Sequence, residues 1–292
     1  MNHIKLLSLL LEEDADEQKV KDILGANYPD FVKKLGDNIK DPKFVAAIEK
    51  FSEKNPIKTA DISPAVSDLQ PTQNEIDVDK SLSYPLTDPK SAATLLKGGT
   101  VAIAGKKIVT AGGGKFIIDG HHRWSQAYVI NPDIKISALD IANVDDGIDG
   151  LKATQLGIAA NIKKVPQAKV KGSNLLKMGE TELKKYVKEK VTKEVMKEFV
   201  KAGKVNAGSN KAADDLSTKN LNQLANYIWE NVKKMQSSNQ PIDGAPKRDI
   251  MPQTDDAPQW KDKAPALQEK LATMIKGMIK EEIQKAKKSK KK

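Results

Sequence analysis

The stretch that most constrains the fold is Lys115-Phe116-Ile117-Ile118-Asp119-Gly120-His121-His122-Arg123-Trp124. Phe116-Ile117-Ile118, with two β-branched residues, reads as a short buried strand. Asp119-Gly120 breaks the strand, and residues 121–129 can then wind as a helix. A chain that passes from a buried strand through a tight turn into a helix aims unpaired N–H groups at whatever lies above the turn. The positive end of the helix dipole adds to that pull on anions. The turn also carries two of the chain's three histidines and one of its two arginines, the others being His3 and Arg248.

From residue types alone the turn is a phosphate cradle. Gly120 leaves room for backbone to approach a ligand. His121 and His122 offer ring N–H donors, and Arg123 offers a fork of donors matched to phosphate oxygens. Asp119 is suited to hold a ribose hydroxyl or a magnesium ion, or to act as a general base. A plainer account uses the same residues: Asp119 caps the helix, the histidines are solvated, and Arg123 pairs with a carboxylate. Trp124 is read as a core anchor beneath the helix. Ala111-Gly112-Gly113-Gly114-Lys115-Phe116 lacks the first glycine of a P-loop and has Phe116 where Ser or Thr is needed, so it reads as a turn.

Around this centre the chain changes character. Residues 1–55 look helical, with an amphipathic run at 4–11, a helix at 16–24 ended by Gly25, and a helix started by Asp41-Pro42. Residues 56–165 interleave short strands (101–104, 107–110, 116–118, 135–141) with helices (91–97, the histidine helix, 150–163), which makes an α+β domain. Residues 166–236 read as two long helices, at 181–202 and from a Ser217 or Thr218 cap onward. Residues 237–265 hold Pro241, Pro246, Pro252, Pro258 and Pro265 among polar residues and read as a linker. Residues 266–292 form a last amphipathic helix and a lysine-rich tail.

Charge and composition narrow the partners. The formal net charge is +10, but six lysines lie in the last eight residues, leaving +4 for the other 284. The basic element is therefore the tail, where Lys287, Lys288, Lys290, Lys291 and Lys292 are candidate contacts to DNA phosphates. Hydrophobic residues make up 39% and aromatics 4%, so the core should be aliphatic. With no cysteine there is neither a thiolate metal site nor a cysteine nucleophile. The run at 4–11 is shorter than a membrane span and is followed by acidic residues. The expectation is a soluble, cytoplasmic protein with no membrane partner, whose last helix is available for self-association.

Residues 118–124, Ile-Asp-Gly-His-His-Arg-Trp, resemble the signature of the ParB/sulfiredoxin-like superfamily, especially its members with an Asp-Gly-His-His-Arg turn, many of them phage-encoded. Val66-Ser67-Asp68-Leu69, Pro71, Gln73 and Lys80-Ser81-Leu82 resemble that superfamily's first box, and the likeness spans about residues 57–165. It implies a nucleotide-binding domain flanked by helical regions, with Gly120, His121, His122 and Arg123 against the phosphates of a di- or triphosphate and Mg2+. Members range from CTP-hydrolysing partitioning proteins to ATP-using sulfiredoxins and free-serine kinases. Sulfiredoxin's catalytic cysteine falls at His121, so that reaction is not expected. The partitioning proteins' Gly-Glu-Arg-Arg turn matches only Gly120 and Arg123, and no helix-turn-helix follows the domain. The serine-kinase-like members are closest in the turn. Their catalytic glutamate lies in the upstream box, where Glu75 is the nearest candidate.

The resemblance thus implies nucleotide binding, with phosphotransfer or nucleotide hydrolysis as the enzymatic options and Asp119 and Glu75 as acid/base or metal groups. The alternative from a different class is a phage structural or DNA-associated protein. There the domain is an assembly module in the host cytoplasm or virion, and the ends contact other phage proteins or DNA.

Overall fold

Side-chain caps and early prolines set most of the helix starts. The computed structural model describes residues 15–55, 57–165, 172–207 and 216–252. Within these the chain is α+β and divides into two compact units. The first is built from residues 15–55, 57–58, 152–165 and 250–252. It holds α1 (residues 15–24), α2 (Tyr28–Asn38) and α3 (Pro42–Lys54). Asn27 caps α2 by accepting from Asp30 N, and Asp41 caps α3 by accepting from Lys43 N, each with proline in the first turn. Val20, Phe31, Leu35, Phe44 and Ile48 are buried as this unit's core.

The second unit comprises residues 59–151, 172–207 and 216–249. Its five-stranded sheet has the order β1-β7-β4-β5-β2, with β1 at Thr59–Ile62, β2 at Gln70–Pro71, β4 at Ile108–Ala111, β5 at Phe116–Asp119 and β7 at Ala138–Ile141. The pairings β1/β7 and β4/β5 are antiparallel, and β7/β4 and β5/β2 are parallel. A two-stranded parallel sheet pairs β3 (Thr100–Val101) with β6 (Lys135–Ile136). Between Asp79 and Ser83 the chain makes a π-helical turn, followed by α4 (Tyr84–Thr87) and α5 (Pro89–Lys97).

Helix α6 (His121–Ile130) is buried on nearly every side and is the centre of this unit. Trp124 is fully buried, donates from Nε1 to Val66 O at 2.7 Å, and meets Tyr128 edge-on at 5.5 Å between centroids. Later helices complete the core: α8 (Glu180–Lys190), α9 (Lys193–Lys201) and α10 (Thr218–Ser238) bury Leu183, Phe199, Leu224, Ile228 and Val232 with the residues around α6. Helix α7 (Gly147–Ile162) begins in this unit.

Several elements differ from the sequence reading for identifiable reasons. The strand expected at 135–141 is divided between two sheets, because Ser137 N donates to Val101 O while Ile108 N donates to Ser137 O. The helix expected at 181–202 is two helices, because Thr192 takes an N-cap conformation and accepts from Val195 N at 3.3 Å. The boundary expected at 55/56 lies three residues from the division at 58/59, and the helices expected as a separate region at 166–236 share a unit with residues 59–151, since α8, α9 and α10 bury their apolar faces in the core of the α6 unit. Part of the expected linker is likewise ordered against that unit: Ile242 N donates to Pro71 O and Asn74 N to Pro246 O, each at 3.1 Å.

Gly112-Gly113-Gly114 is the turn joining β4 to β5, all three with positive φ. Among the described residues no helix is long and apolar enough to cross a membrane. The expected helix at 4–11, the last helix and the lysine tail lie outside the described residues.

Candidate functional site

Strand β5 reaches the site through a register shift against β4, in which Val109 faces Asp119 and Thr110 faces Ile117. The chain then turns at Gly120, which has φ +97° and begins α6 with no side chain capping the first turn. A Cβ on Gly120 would stand 2.6 Å from Ile108 Cγ2 and 2.9 Å from Arg123 Nη2. Glycine is required here by the positive φ and because Ile108 and Arg123 close over the turn. Arg123 Nη2 lies 3.1 Å from Asp119 Oδ2. Of the plainer account, the ion pair is therefore present, with Asp119 itself as the partner. Arg123 Nε is buried and has no hydrogen-bond partner among the described residues.

Of the two histidines His121 is buried and His122 half-buried, and both rings are hydrogen-bonded to backbone. His121 Nε2 accepts from Thr72 N at 3.2 Å, while Thr72 Oγ1 donates to Ile117 O at 2.5 Å. His122 Nε2 accepts from Asp77 N at 3.3 Å. An imidazole nitrogen that accepts carries no proton, so each ring is neutral with its proton on Nδ1. Burial, then the Arg248 guanidinium, hold His121 down to about 3. Burial, then the charges of Arg248, His121, Lys80 and Arg123, hold His122 down to about 2. Each imidazole spends its Nε2 lone pair fastening the 72–77 segment to the start of α6, which leaves its Nδ1–H as the ring donor. The buried polar rings accept those backbone N–H groups because an unpaired amide in this interior would cost about 1–3 kcal/mol.

Arg248, the chain's other arginine, completes the cluster. Its Nη1 lies 2.6 Å from Nε2 and 3.0 Å from Nδ1 of His122. Its backbone N donates to Glu75 Oε2 at 3.2 Å, which fixes Glu75 beside the turn. The sequence pattern did not place Arg248 here. A signal was present, however, since a chain with 49 lysines and arginines contains only two arginines, one beside His122 in sequence and the other against its ring. The π-helical turn lies alongside, with Asp77 Oδ1 accepting from Lys80 N at 3.0 Å and Ser125 Oγ donating to Ser81 Oγ at 2.8 Å.

Asp119, Gly120, His121, His122 and Arg123 thus share one turn, and Glu75 is linked to it through Arg248, whose backbone N it accepts from. Among the described residues no group of three His, Asp or Glu side chains converges to hold a metal ion. Asp119 Oδ2 is engaged by Arg123, and Asp119 is the carboxylate on this turn that would hold a magnesium ion. Chemically the arrangement is rich in donors: two guanidiniums, the N–H groups of an uncapped helix start, and neutral rings whose acceptor nitrogens are taken. In comparisons with family models, curated proteins and solved structures, no match to this chain was found.

Proposed function

We propose that the turn between β5 and α6 binds a phosphate-bearing ligand of the nucleotide class, a di- or triphosphate with Mg2+ carried on its phosphate oxygens. One observation carries this reading: the hydrogen-bond donors around His122 outnumber its acceptors. A neutral imidazole has one acceptor lone pair. Asp77 N and Arg248 Nη1 both approach the Nε2 that holds it, and Arg248 Nη1 also stands 3.0 Å from the protonated Nδ1. The charges that hold the ring's pKa down come from Arg248, His121, Lys80 and Arg123. Phosphate oxygens would accept from the donors gathered here, with the α6 N-terminus behind them.

The likeness of residues 118–124 to the ParB/sulfiredoxin-like signature supports a nucleotide as the ligand, and phosphotransfer or hydrolysis as the reaction. In that reaction Arg123 neutralises phosphate charge, which is where catalysis of this kind is mostly done. Asp119 orients Arg123 and is the carboxylate that would hold magnesium. Glu75 is the candidate base. His121 and His122 hold the 72–77 segment in place. Magnesium, when bound, would screen phosphate charge.

A second reading is favoured by the pairing of Arg123 with Asp119 and the hydrogen bonds from both histidines to the 72–77 segment, which allow the turn to serve as a structural joint. In this reading the chain is a phage structural or DNA-associated protein, and the lysine tail contacts DNA or other subunits. Thermal unfolding with ATP, ADP and CTP, with and without magnesium, separates the two. A ligand at about a hundred times its Kd should add about 2.7 kcal/mol, and Arg123→Ala should abolish the gain. If no nucleotide raises the melting temperature at millimolar concentration, the first reading is wrong. Co-sedimentation with assembled particles then tests the second.

A further inference from the structure

We infer that residues 240–249 form a strap that lifts to admit a ligand to the histidine turn and shuts over it once bound. This rests on the phosphate-binding reading above and adds to it a moving part outside the strand-turn-helix stretch.

The strap follows α10, and the two are held by different means. Helix α10 gives Leu224, Ala225, Ile228, Val232 and Met235 to the apolar core around α6, whereas no residue of the strap belongs to that core. Within the strap only Pro246 and Arg248 are buried, and Ile242 rests half-buried over Gly147. Its hold is instead a row of hydrogen bonds to the upstream box. Gln70 Nε2 donates to Gln240 O at 3.1 Å, Ile242 N to Pro71 O at 3.1 Å, Asn74 Nδ2 to Ala245 O at 3.0 Å and Asn74 N to Pro246 O at 3.1 Å. Arg248 N, donating to Glu75 Oε2, ends the row. A segment fastened by hydrogen bonds with little apolar burial opens well below the free energy of global unfolding. Asn239 pins the near end by donating to Ser67 O and Leu69 O, so lifting leaves α10 in place.

The far end of the row gives this opening a consequence. Arg248 puts its backbone N on the Glu75 carboxylate and its Nη1 2.6 Å from Nε2 and 3.0 Å from Nδ1 of His122. One strap residue thus touches two residues of the candidate site, and a ligand that is to meet either of them finds its way in when the strap is lifted. Shut again, the strap excludes water from the turn, which strengthens each hydrogen bond that a phosphate oxygen makes there. A bound ligand therefore favours the shut state.

Hydrogen exchange of the full chain, read residue by residue, tests this. Ile242 N and Arg248 N lie on the strap, and Asn74 N lies on the floor beneath it but donates to the strap. These three amides should share one protection factor, at least about a hundredfold below those of Trp124 N and Asn131 N in α6. Gln70 N, which belongs to the same floor but donates to Lys115 O, should stay as protected as α6. Asn74→Ala deletes the bond to Ala245 O and should speed the exchange of Ile242 and Arg248 about fivefold. ATP, ADP and CTP are then added with magnesium. A nucleotide that raises the melting temperature should slow the strap amides at least about tenfold, because a ligand that binds shut and lifted states equally would shift nothing. Strap amides as slow as those of α6 overturn the inference, as do an unchanged strap in folded Asn74→Ala and a bound nucleotide that leaves strap exchange unaltered. Each of these results leaves the phosphate-binding reading standing. If no nucleotide raises the melting temperature, that reading fails and the strap's part in it fails too.

Discussion

Histidines whose Nε2 atoms accept backbone N–H groups respond to pH differently from histidines facing solvent. His121 and His122 are held down to about 3 and about 2, against about 6.5 in an unfolded chain. The unfolded state therefore binds more protons, and the stability these rings contribute is complete above about pH 6.5 and is lost as the pH falls towards their folded values. At about pH 5 the loss should approach 2 kcal/mol per histidine. Urea unfolding between about pH 7 and pH 5 should show this slope in the wild type and roughly half of it in His121→Gln; equal slopes would show that the rings are not the source. At this scale the sequence told which residues gather at the turn, because Asp-Gly between a β-branched run and a helix leaves few conformations. It did not tell what they touch. Thr72 and Asp77 lie 49 and 45 residues from their histidines, and Arg248 lies 126 residues from His122. Partners at such separations are set by how the chain closes, which no local pattern encodes.

Elements bounded by their own caps were the legible ones. Asp41-Pro42, Ser217 and Asn131-Pro132 mark the ends of α3, α10 and α6 where local chemistry puts them. The misreadings came where apolar spacing continued through a break. Leu183, Val187, Val195 and Phe199 keep a helical spacing across Thr192, yet Val191 is extended at ψ 132° and Thr192 starts a new helix. The tertiary environment decides here: Thr192 N donates to Leu86 O at 3.1 Å, a bond that an unbroken helix would forgo. Thr192→Ala removes the Oγ1 acceptor of Val195 N but leaves that backbone bond. It should cost about 1 kcal/mol, read as a lower urea midpoint at unchanged m-value. A neutral substitution would mean that packing of Val195 and Phe199 alone holds the break.

At the scale of the molecule, the α+β unit around α6 is assembled from distant stretches of chain. The stretch 56–165 reads as a domain because its strands and helices interleave. Its central helix, however, is closed over by residues beyond 216: Tyr227 Oη donates to Ile130 O at 2.6 Å, and Asn231 Nδ2 donates to Val129 O at 2.9 Å. Asn239, at the end of α10, is the tightest of these joints. It accepts from Tyr128 Oη at 2.8 Å and donates to Ser67 O at 2.9 Å and Leu69 O at 2.7 Å, so one amide joins α6, the upstream box and the segment that carries Arg248. Asn239→Ala strands a buried hydroxyl and two carbonyls and should cost about 2–4 kcal/mol. Asn239→Asp keeps the shape and the acceptor for Tyr128 but sets carboxylate oxygens against two carbonyl oxygens, in a position only 5% exposed. At neutral pH it should destabilise more than alanine does, and lowering the pH should recover part of the loss by protonating the carboxyl. Denaturant unfolding followed by the fluorescence of the buried Trp124 reports both variants. If Asp is tolerated better than Ala at neutral pH, the amide is not the joint that the geometry makes it, and Arg248 loses the anchor that brings it to His122.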